Sequence, residues 1–429
     1  MKKVLIISYF YSPANFVACD RIKGFAEHMV KGGVKPIIIT RNWNENQTTL
    51  TDMVMYNEYK HEAYESHEIH RMPYRQTLRD KLATKKSLHL VQRFLTLKEI
   101  LLSHFFIRSL PYSNLYDKAD ELISSDPEIE AVIVSGTPFL SFQIGYKLKK
   151  KHPNILWIPD YRDEWTTHPF FKKKKGLLNR FLNKLASHTE KKWLTNSSLF
   201  ITTSKEAIER IQKVTGRTGT LILNGFDRLK EKTVRSNSNE ESHVLKIAYY
   251  GTVYDYQNFV PLFSALENLQ GESILYFIGT EVQEDQKKRL QKETESLENI
   301  KFIDRMGKPD LYRFIEDVDV LALTSYDSIS DWYPAKLFDY YSTGKMILLI
   351  SSDNGVMSEF IEKTNCGLIC SNKQDCTSII LEMITKKKLG KSLTPNIDRR
   401  FGDFFSRENQ SIKLSEEILK KWNETNSLE

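Results

Sequence analysis

Apolar runs of strand length alternate with helical segments along this chain, stop, and then begin again. Residues 4–11 read as a strand, 20–31 as a helix, and 34–40 as a strand after Gly32-Gly33. This βαβ opening predicts a parallel sheet. Further strands are expected at 131–135, 155–159, 199–203 and 220–223, with a helix ending near Lys151 and another over 205–215. Residues 228–243 are polar and charged, with Ser-Asn-Ser-Asn-Glu-Glu-Ser in their middle, and read as an interdomain linker. Strands then recur at 246–250, 273–278, 300–303, 319–324, 346–350 and 367–370, with helices between. The fold class is α/β: two doubly wound domains facing a cleft, with ligands at the carboxyl edges of their strands. The expected division is 1–235, 244–400, and a helical segment 401–429 that packs back on the first domain.

At 429 residues the chain is long enough for two domains with sizeable cores. A composition 40% hydrophobic and 27% charged, without a low-complexity tract, is that of a soluble globular protein. The net charge of +7 favours an anionic ligand or an anionic membrane surface without separating them. Four cysteines stand at 19, 366, 370 and 376. Their spacing, with no histidine beside it, fits free thiols in a reducing cytosol better than zinc. Met1-Lys-Lys and the apolar run after it resemble a short signal peptide, and Val17-Ala18-Cys19 a weak lipoprotein-like cleavage site. Ser8 and two tyrosines interrupt that run, and a buried first strand accounts for it better. No transmembrane span is expected, since Lys98, Glu99, His104 and Arg108 break the apolar stretch 94–110.

The densest chemical signal lies between Ser325 and Ile350. A strand runs into a polar loop holding Asp331, Pro334 starts a helix, Gly344 ends it, and a second apolar strand follows. Asp331, Lys336 and Asp339 therefore cluster at a helix N-terminus beside a strand edge. Helix N-termini bind anions through free N–H groups and the helix dipole. A carboxylate one turn into the helix suits sugar hydroxyls better than phosphate. Together these features suggest a nucleotide-sugar site.

Other chemistries are disfavoured. Ser12-Pro13-Ala14-Asn15 stands where a dinucleotide-binding G-x-G-x-x-G would follow Tyr11. Neither a Walker A segment nor a G-x-S-x-G elbow occurs. His61-Glu62 and His67-Glu68-Ile69-His70 look metal-like but lack the H-E-x-x-H spacing, and read as solvated loop residues. Asp317-Val318-Asp319 reads as a helix end and strand start rather than a metal-binding carboxylate pair.

Five segments, in order, resemble a known family. Tyr9-Phe-Tyr-Ser-Pro followed by Asp20-Arg21 and Gly32-Gly33 resembles the first βαβ unit of family 4 retaining glycosyltransferases, which have the two-domain GT-B fold of Rossmann-like domains. Asp160-Tyr-Arg162-Asp163-Glu-Trp165 resembles the D-x-R-D-x-W element of its polysaccharide-assembly (O-antigen and capsule) branch. Asn224-Gly-Phe-Asp227 resembles its segment before the linker, Tyr250-Gly251-Thr252 its donor-domain glycine turn, and Pro334-Ala335-Lys336-Leu-Phe-Asp339-Tyr340 its P-x-K-x-x-E-Y helix. The family's E-x7-E pair appears as Asp331 and Asp339. Its basic residues after the glycine turn are replaced by Thr252, Tyr254, Tyr256 and Gln257.

The resemblance implies roles. Asp331, Asp163 and Arg162 would be catalytic. Gly251, Thr252, Lys336 and Asp339, with Tyr333, Pro334, Ala335 and Tyr326, would bind the donor. Ser12, Asn15 and Arg21 would bind the acceptor. The implied reaction moves a hexose or N-acetylhexosamine, with retention, from a nucleotide-diphosphate sugar to a saccharide or lipid-linked acceptor in surface polysaccharide synthesis. A UDP-sugar is the favoured donor; no metal, cofactor or nucleic acid is implied. The basic and amphipathic segments 79–110 and 172–193 suit a cytoplasmic protein peripheral to the inner face of the membrane. A sugar-nucleotide 2-epimerase of the same fold and a non-catalytic nucleotide-sugar-binding partner are the alternatives.

Overall fold

The computed structural model describes residues 1–14, 16–43, 58–74, 77–82, 88–168, 176–227, 243–326 and 329–427. The chain forms two compact units, Met1–Asn224 with Arg407–Glu429, and Gly225–Ser406.

The first unit is built on an eight-stranded sheet. Its strands are β1 (Lys2–Ser8), β2 (Val34–Arg41), β3 (Lys60–Ala63), β4 (Glu68–Met72), β5 (Ile129–Ser135), β6 (Leu156–Tyr161), β7 (Phe200–Thr202) and β8 (Gly219–Leu221). Their order is β3-β4-β2-β1-β5-β6-β7-β8, parallel throughout except for β3 against β4. Parallel strands covered on both faces need continuous apolar runs, and Val4-Leu5-Ile6-Ile7 in β1 is fully buried. Alternate residues feed two cores. Leu5 and Ile7 pack with Leu115, Phe142 and Trp157 on one face. Val4 and Ile6 pack on the other with Ile22 and Phe25 of the helix Val17–His28, and with Leu414 and Ile418 of the helix Arg407–Asn426. That C-terminal helix is thus part of the first unit's core. Ser411 Oγ donates to the Gly24 carbonyl at 3.1 Å, Ser415 Oγ to that of Met29 at 3.0 Å, and the Leu223 N–H to Gln410 Oε1 at 2.8 Å.

The second unit holds six parallel strands: β9 (Leu245–Tyr250), β10 (Ser273–Ile278), β11 (Ile300–Ile303), β12 (Val320–Leu323), β13 (Met346–Leu349) and β14 (Gly367–Ile369). Each lies where an apolar run predicts it. The order β11-β10-β9-β12-β13-β14 is that of the doubly wound nucleotide-binding sheets. Its core gathers Ile247, Tyr249, Leu275, Phe277, Val320 and Leu348.

Candidate functional site

In a sheet of this order the chain leaves β9 toward β10 on one side and returns at β12 on the other. The crevice at the carboxyl ends of β9 and β12 is therefore the place a doubly wound sheet offers to a ligand. After β9, Gly251 takes φ +96°, a conformation open to glycine, and its N–H donates to the Ile278 carbonyl at 2.8 Å. After β12 the chain runs through Thr324 and a polar loop to the helix Ala335–Ser342. Pro334 caps that helix with φ −66° and ψ 142°, one position before the first helical residue, where its missing N–H is likewise harmless. No side chain caps this N-terminus. The next helix, Val356–Thr364, differs. The Asp353 carboxylate accepts from the N–H groups of Gly355, Met357 and Ser358 at 3.2, 2.9 and 3.0 Å. An internal anion therefore fills that N-terminus.

Lys336 reaches back from the first turn of its helix to the glycine turn. Its Nζ donates to the Tyr249 hydroxyl, lies 3.3 Å from the Thr252 carbonyl oxygen, and stands 3.7 Å from the Tyr249 ring centroid. A side chain on Gly251 would lie 3.5 Å from Lys336 Cε. The structure thus brings together Gly251, Thr252 and Lys336, which are far apart in sequence. The Tyr249 hydroxyl is 2.9 Å from the Thr252 oxygen and 3.1 Å from Gln257 Oε1, and Gln257 Nε2 donates to Thr324 Oγ1 at 2.8 Å. This chain of contacts ties the ends of β9 and β12 under the lysine. The residue keeps some exposed surface, but its ammonium is packed among protein atoms. Burial holds its pKa well below the ordinary lysine value, and Asp339 opposes that shift.

Asp339 follows Lys336 by three residues and shares its helical face. Beneath it the Tyr250 N–H donates to the Tyr340 hydroxyl at 3.0 Å, with the two rings 4.6 Å apart. Burial first, and then Asp339, push the Tyr250 phenol well above its usual pKa. Asp331 is half-buried in the loop before Pro334. That loop is clamped from behind: Val356 N–H donates to the Ser330 carbonyl at 2.8 Å. Gly355 passes so close that a side chain there would meet the same oxygen at 2.0 Å. Ala335 is the first residue of the helix. Tyr326 is buried between Tyr256 and Trp332, with centroids at 5.5 and 4.8 Å, while Tyr254 stacks on Tyr256 at 5.4 Å. An aromatic row thus lines the segment where the resembled family carries basic residues. Tyr333 instead packs on Phe338 and Phe405, and burial pushes its phenol up to about 12. Sequence reasoning overlooks Tyr249 as the partner of Lys336. The available signal is a tyrosine in the apolar run of a core strand, whose hydroxyl must find a partner.

In the first unit, Arg21 is only 1% exposed. Its Nε and Nη2 donate to Asp160 at 3.2 and 2.9 Å, and Nη1 to the carbonyls of Ile222 and Leu223 at 2.8 and 3.0 Å. The Ser135 hydroxyl also donates to Asp160, at 2.9 Å. The structure therefore places Arg21 as a buried tie between strands, with its guanidinium committed inside the fold. Arg162 pairs with Asp163 at 3.5 Å, and Asp163 is about half exposed. Arg210 holds Glu164 through three hydrogen bonds of 2.7 to 3.2 Å, and Trp165 stacks on Phe139 with centroids 5.6 Å apart. Ser12 follows β1 half-buried, its carbonyl accepting from Arg71. Asn15 lies outside the described residues, as do parts of the basic segments 79–110 and 172–193 and the linker 228–242.

One reading of the sequence needs adjustment. His61 and His70 are strand residues of β3 and β4, not loop residues; β3 is the polar edge strand and β4, between β3 and β2, is short and mostly polar in sequence, so no apolar run announces either. Asp317-Val318-Asp319 lies between the helix Lys308–Glu316 and β12, as read from the sequence, and Asp319 Oδ2 accepts from the Lys246 N–H at 2.8 Å and from Lys387. All four cysteines are buried thiols. Among the described residues, no helix is long and apolar enough to cross a membrane.

Among curated proteins, none matches this sequence significantly. Solved structures match in fold. Sucrose-phosphate synthase from Thermosynechococcus elongatus superposes with a TM-score of 0.60 at 14% identity, over 98% of this chain and 99% of that one. HepE of Anabaena in complex with UDP-glucose gives 0.54 at 13% identity, over 100% and 99%. The lipopolysaccharide outer core galactosyltransferase WaaB in its apo form gives 0.51 at 14% identity, over 98% and 99%. Residues 230–400 match the family of glycosyl transferases group 1. Residues 230–400, in the second unit, thus match group 1 glycosyl transferases, and the two-sheet α/β fold is shared with these solved structures.

Proposed function

We propose that the protein is a retaining glycosyltransferase that moves a hexose or N-acetylhexosamine from a nucleotide-diphosphate sugar to a saccharide acceptor. The observation that carries this reading is the desolvated Lys336 ammonium, set against Gly251 and Thr252 beside a helix N-terminus that no side chain caps. When the donor's anomeric carbon–oxygen bond breaks, negative charge develops on the diphosphate. A preorganised ammonium and helix N–H groups in a water-poor setting stabilise that charge. Asp339, about 4–5 Å further along the axis at roughly 1.5 Å per residue, takes the ribose hydroxyls. Asp331 faces the transferred sugar from the clamped loop. The acceptor hydroxyl attacks the face the diphosphate leaves, which transfers its proton to the departing phosphate oxygen and gives retention without a covalent glycosyl-enzyme. Arg162, Asp163 and the Ser12 loop belong to the acceptor side. That HepE was solved with UDP-glucose supports a UDP-sugar as donor.

A lipid-linked acceptor of surface polysaccharide assembly, met at an anionic membrane, fits the first unit's surface. The helix His89–Ser103 exposes Leu90 and Phe94, at 79% and 66%, and the helix Leu177–Leu194 exposes Leu177 and Phe181, at 84% and 56%. Arg93 and Lys98 on one helix, and Arg180 and Lys184 on the other, accompany them. Two experiments test the reading. Thermal-shift screening with UDP, GDP, CDP and dTDP, then their sugars, should give one stabilising nucleotide, and its sugar should turn over. Stabilisation by none of them would sink the donor reading. Sedimentation with anionic vesicles should capture the protein at low salt and release it at high salt; a protein that stays in the supernatant at low salt argues against membrane attachment.

A further inference from the structure

The hairpin at the edge of the first unit gathers metal-ligating side chains that the proposed transferase reaction does not use. β3 and β4 pair antiparallel with His61 opposite His70 and Ala63 opposite Glu68. Side chains alternate along strands, so His61, His70 and Glu68 stand on one face. One ligand atom from each lies within 4.8 Å of the other two. The two imidazoles stack with centroids 4.4 Å apart and planes inclined by 7°. His61 Nε2 is 3.5 Å from Glu68 Oε2, while the other carboxylate oxygen accepts from Lys35 at 2.9 Å.

His70 supplies a second, independent observation. It is only 4% exposed, its Nδ1 lies 2.7 Å from the Tyr59 hydroxyl, and its Nε2 is buried with no partner among the described residues. An unsatisfied buried polar atom costs on the order of 1–3 kcal/mol, so a bare imidazole nitrogen beside a second imidazole and a carboxylate asks for an occupant. The cations nearby are already paired, Lys35 with Glu68 and Lys118, which stands over the Tyr59 ring, with Glu121 at 2.7 Å.

We propose that the β3–β4 hairpin binds a divalent transition metal of the zinc class through His61, Glu68 and His70. Two imidazoles and one carboxylate form a donor set that suits Zn²⁺ and leaves room for solvent, whereas Ca²⁺ and Mg²⁺ prefer oxygen alone. Metal–nitrogen bonds of about 2.0–2.1 Å require the ligand atoms to draw in by roughly 1 Å, which rotation of the exposed His61 supplies. Tyr59 would accept the His70 Nδ1–H and fix the tautomer that presents Nε2. The metal would clamp the hairpin from one face. On the other face Arg71 pairs with Glu62 at 2.6 Å and donates to the Ser12 carbonyl, so the clamp steadies the strand that holds that loop.

The test uses the full chain without a histidine tag, with Zn²⁺ in competition against a chromophoric chelator and Co²⁺ as a spectroscopic probe. One equivalent of Zn²⁺ should bind and raise Tm. Co²⁺ should give visible d–d bands without the intense near-ultraviolet absorption of thiolate ligation. Variants His61→Ala and Glu68→Gln, both at solvent-accessible positions, should fold, bind at least about tenfold more weakly, and lose the Tm increase. The proposal is overturned if the wild type binds no equivalent of metal, if His61→Ala binds like wild type, or if thiolate absorption shows the metal on cysteine.

Discussion

Replacing Lys336 by Met keeps most of the stem volume and removes the ammonium. The Tyr249 hydroxyl loses one neighbour but keeps the Thr252 carbonyl at 2.9 Å, so no buried polar atom is orphaned. A charge-assisted hydrogen bond is worth about 1.5–3 kcal/mol. At about 1.4 kcal/mol per decade, affinity for a nucleoside diphosphate should fall roughly ten- to 150-fold. Affinity for the parent nucleoside, which has no phosphate, should not change. Stability should move the other way. Because burial depresses the folded-state pKa, the unfolded chain binds more protons between that value and the ordinary lysine pKa of about 10.4. Stability contributed at this position is therefore full above that range and lost as pH falls through it, so at neutral pH burial of this lysine costs stability. Lys336→Met should then show an unchanged or higher Tm without ligand. A bound diphosphate favours the ammonium, so wild-type binding should take up protons and weaken as pH rises through the lowered pKa; the variant should show neither effect. Calorimetry with nucleoside and nucleoside diphosphate, in buffers of different ionisation enthalpy, measures all of this. Unchanged diphosphate affinity would place the site elsewhere. Equal loss of both ligands with a lower Tm would make Lys336 a structural residue.

Asp339→Asn should weaken nucleoside and nucleoside diphosphate alike, by about 1.5–3 kcal/mol, with the fold intact by circular dichroism. Asp331→Asn should lower turnover more than nucleotide affinity; a change confined to affinity would contradict its assignment to the sugar. Arg21→Ala strands the buried Asp160 carboxylate, and urea unfolding of the full chain should show a loss of about 3–5 kcal/mol, the usual result of breaking a buried pair.

How much of this was legible beforehand depends on the sequence distance over which each feature is made. The six strands of the second unit announce themselves because each is an apolar run, with helices between successive strands. The Pro334–Gly344 helix is legible through its own end signals. β3 and β4 are not, because Lys60-His-Glu-Ala at the sheet edge and Glu68-Ile-His-Arg-Met beside it are short strands whose polarity imitates a loop. The metal-like histidines are obscured for a related reason: a helical template seeks ligands four residues apart, whereas a hairpin joins residues 61 and 70 across its strands. Arg21 reads equally well as ligand contact or strut until Asp160 is seen beside it. Lys336 is visible as a cation, but its desolvation depends on Tyr249 and Thr252, which only the sheet brings near.

The helix Arg407–Asn426, whose Leu414 and Ile418 complete the core over Val4 and Ile6, has a consequence for biosynthesis. The ribosome makes nearly all of the first unit before it starts residues 225–406, and only then the helix that closes it. At about 5–20 residues per second, this leaves a nascent chain with an open apolar flank for roughly ten to forty seconds. During that interval Val4, Ile6, Ile22 and Phe25 lack the neighbours that later seal them, and a chaperone that binds apolar segments would find them exposed. Emergence of the helix Arg407–Asn426, rather than of the first 224 residues, is thus the event that completes the first unit.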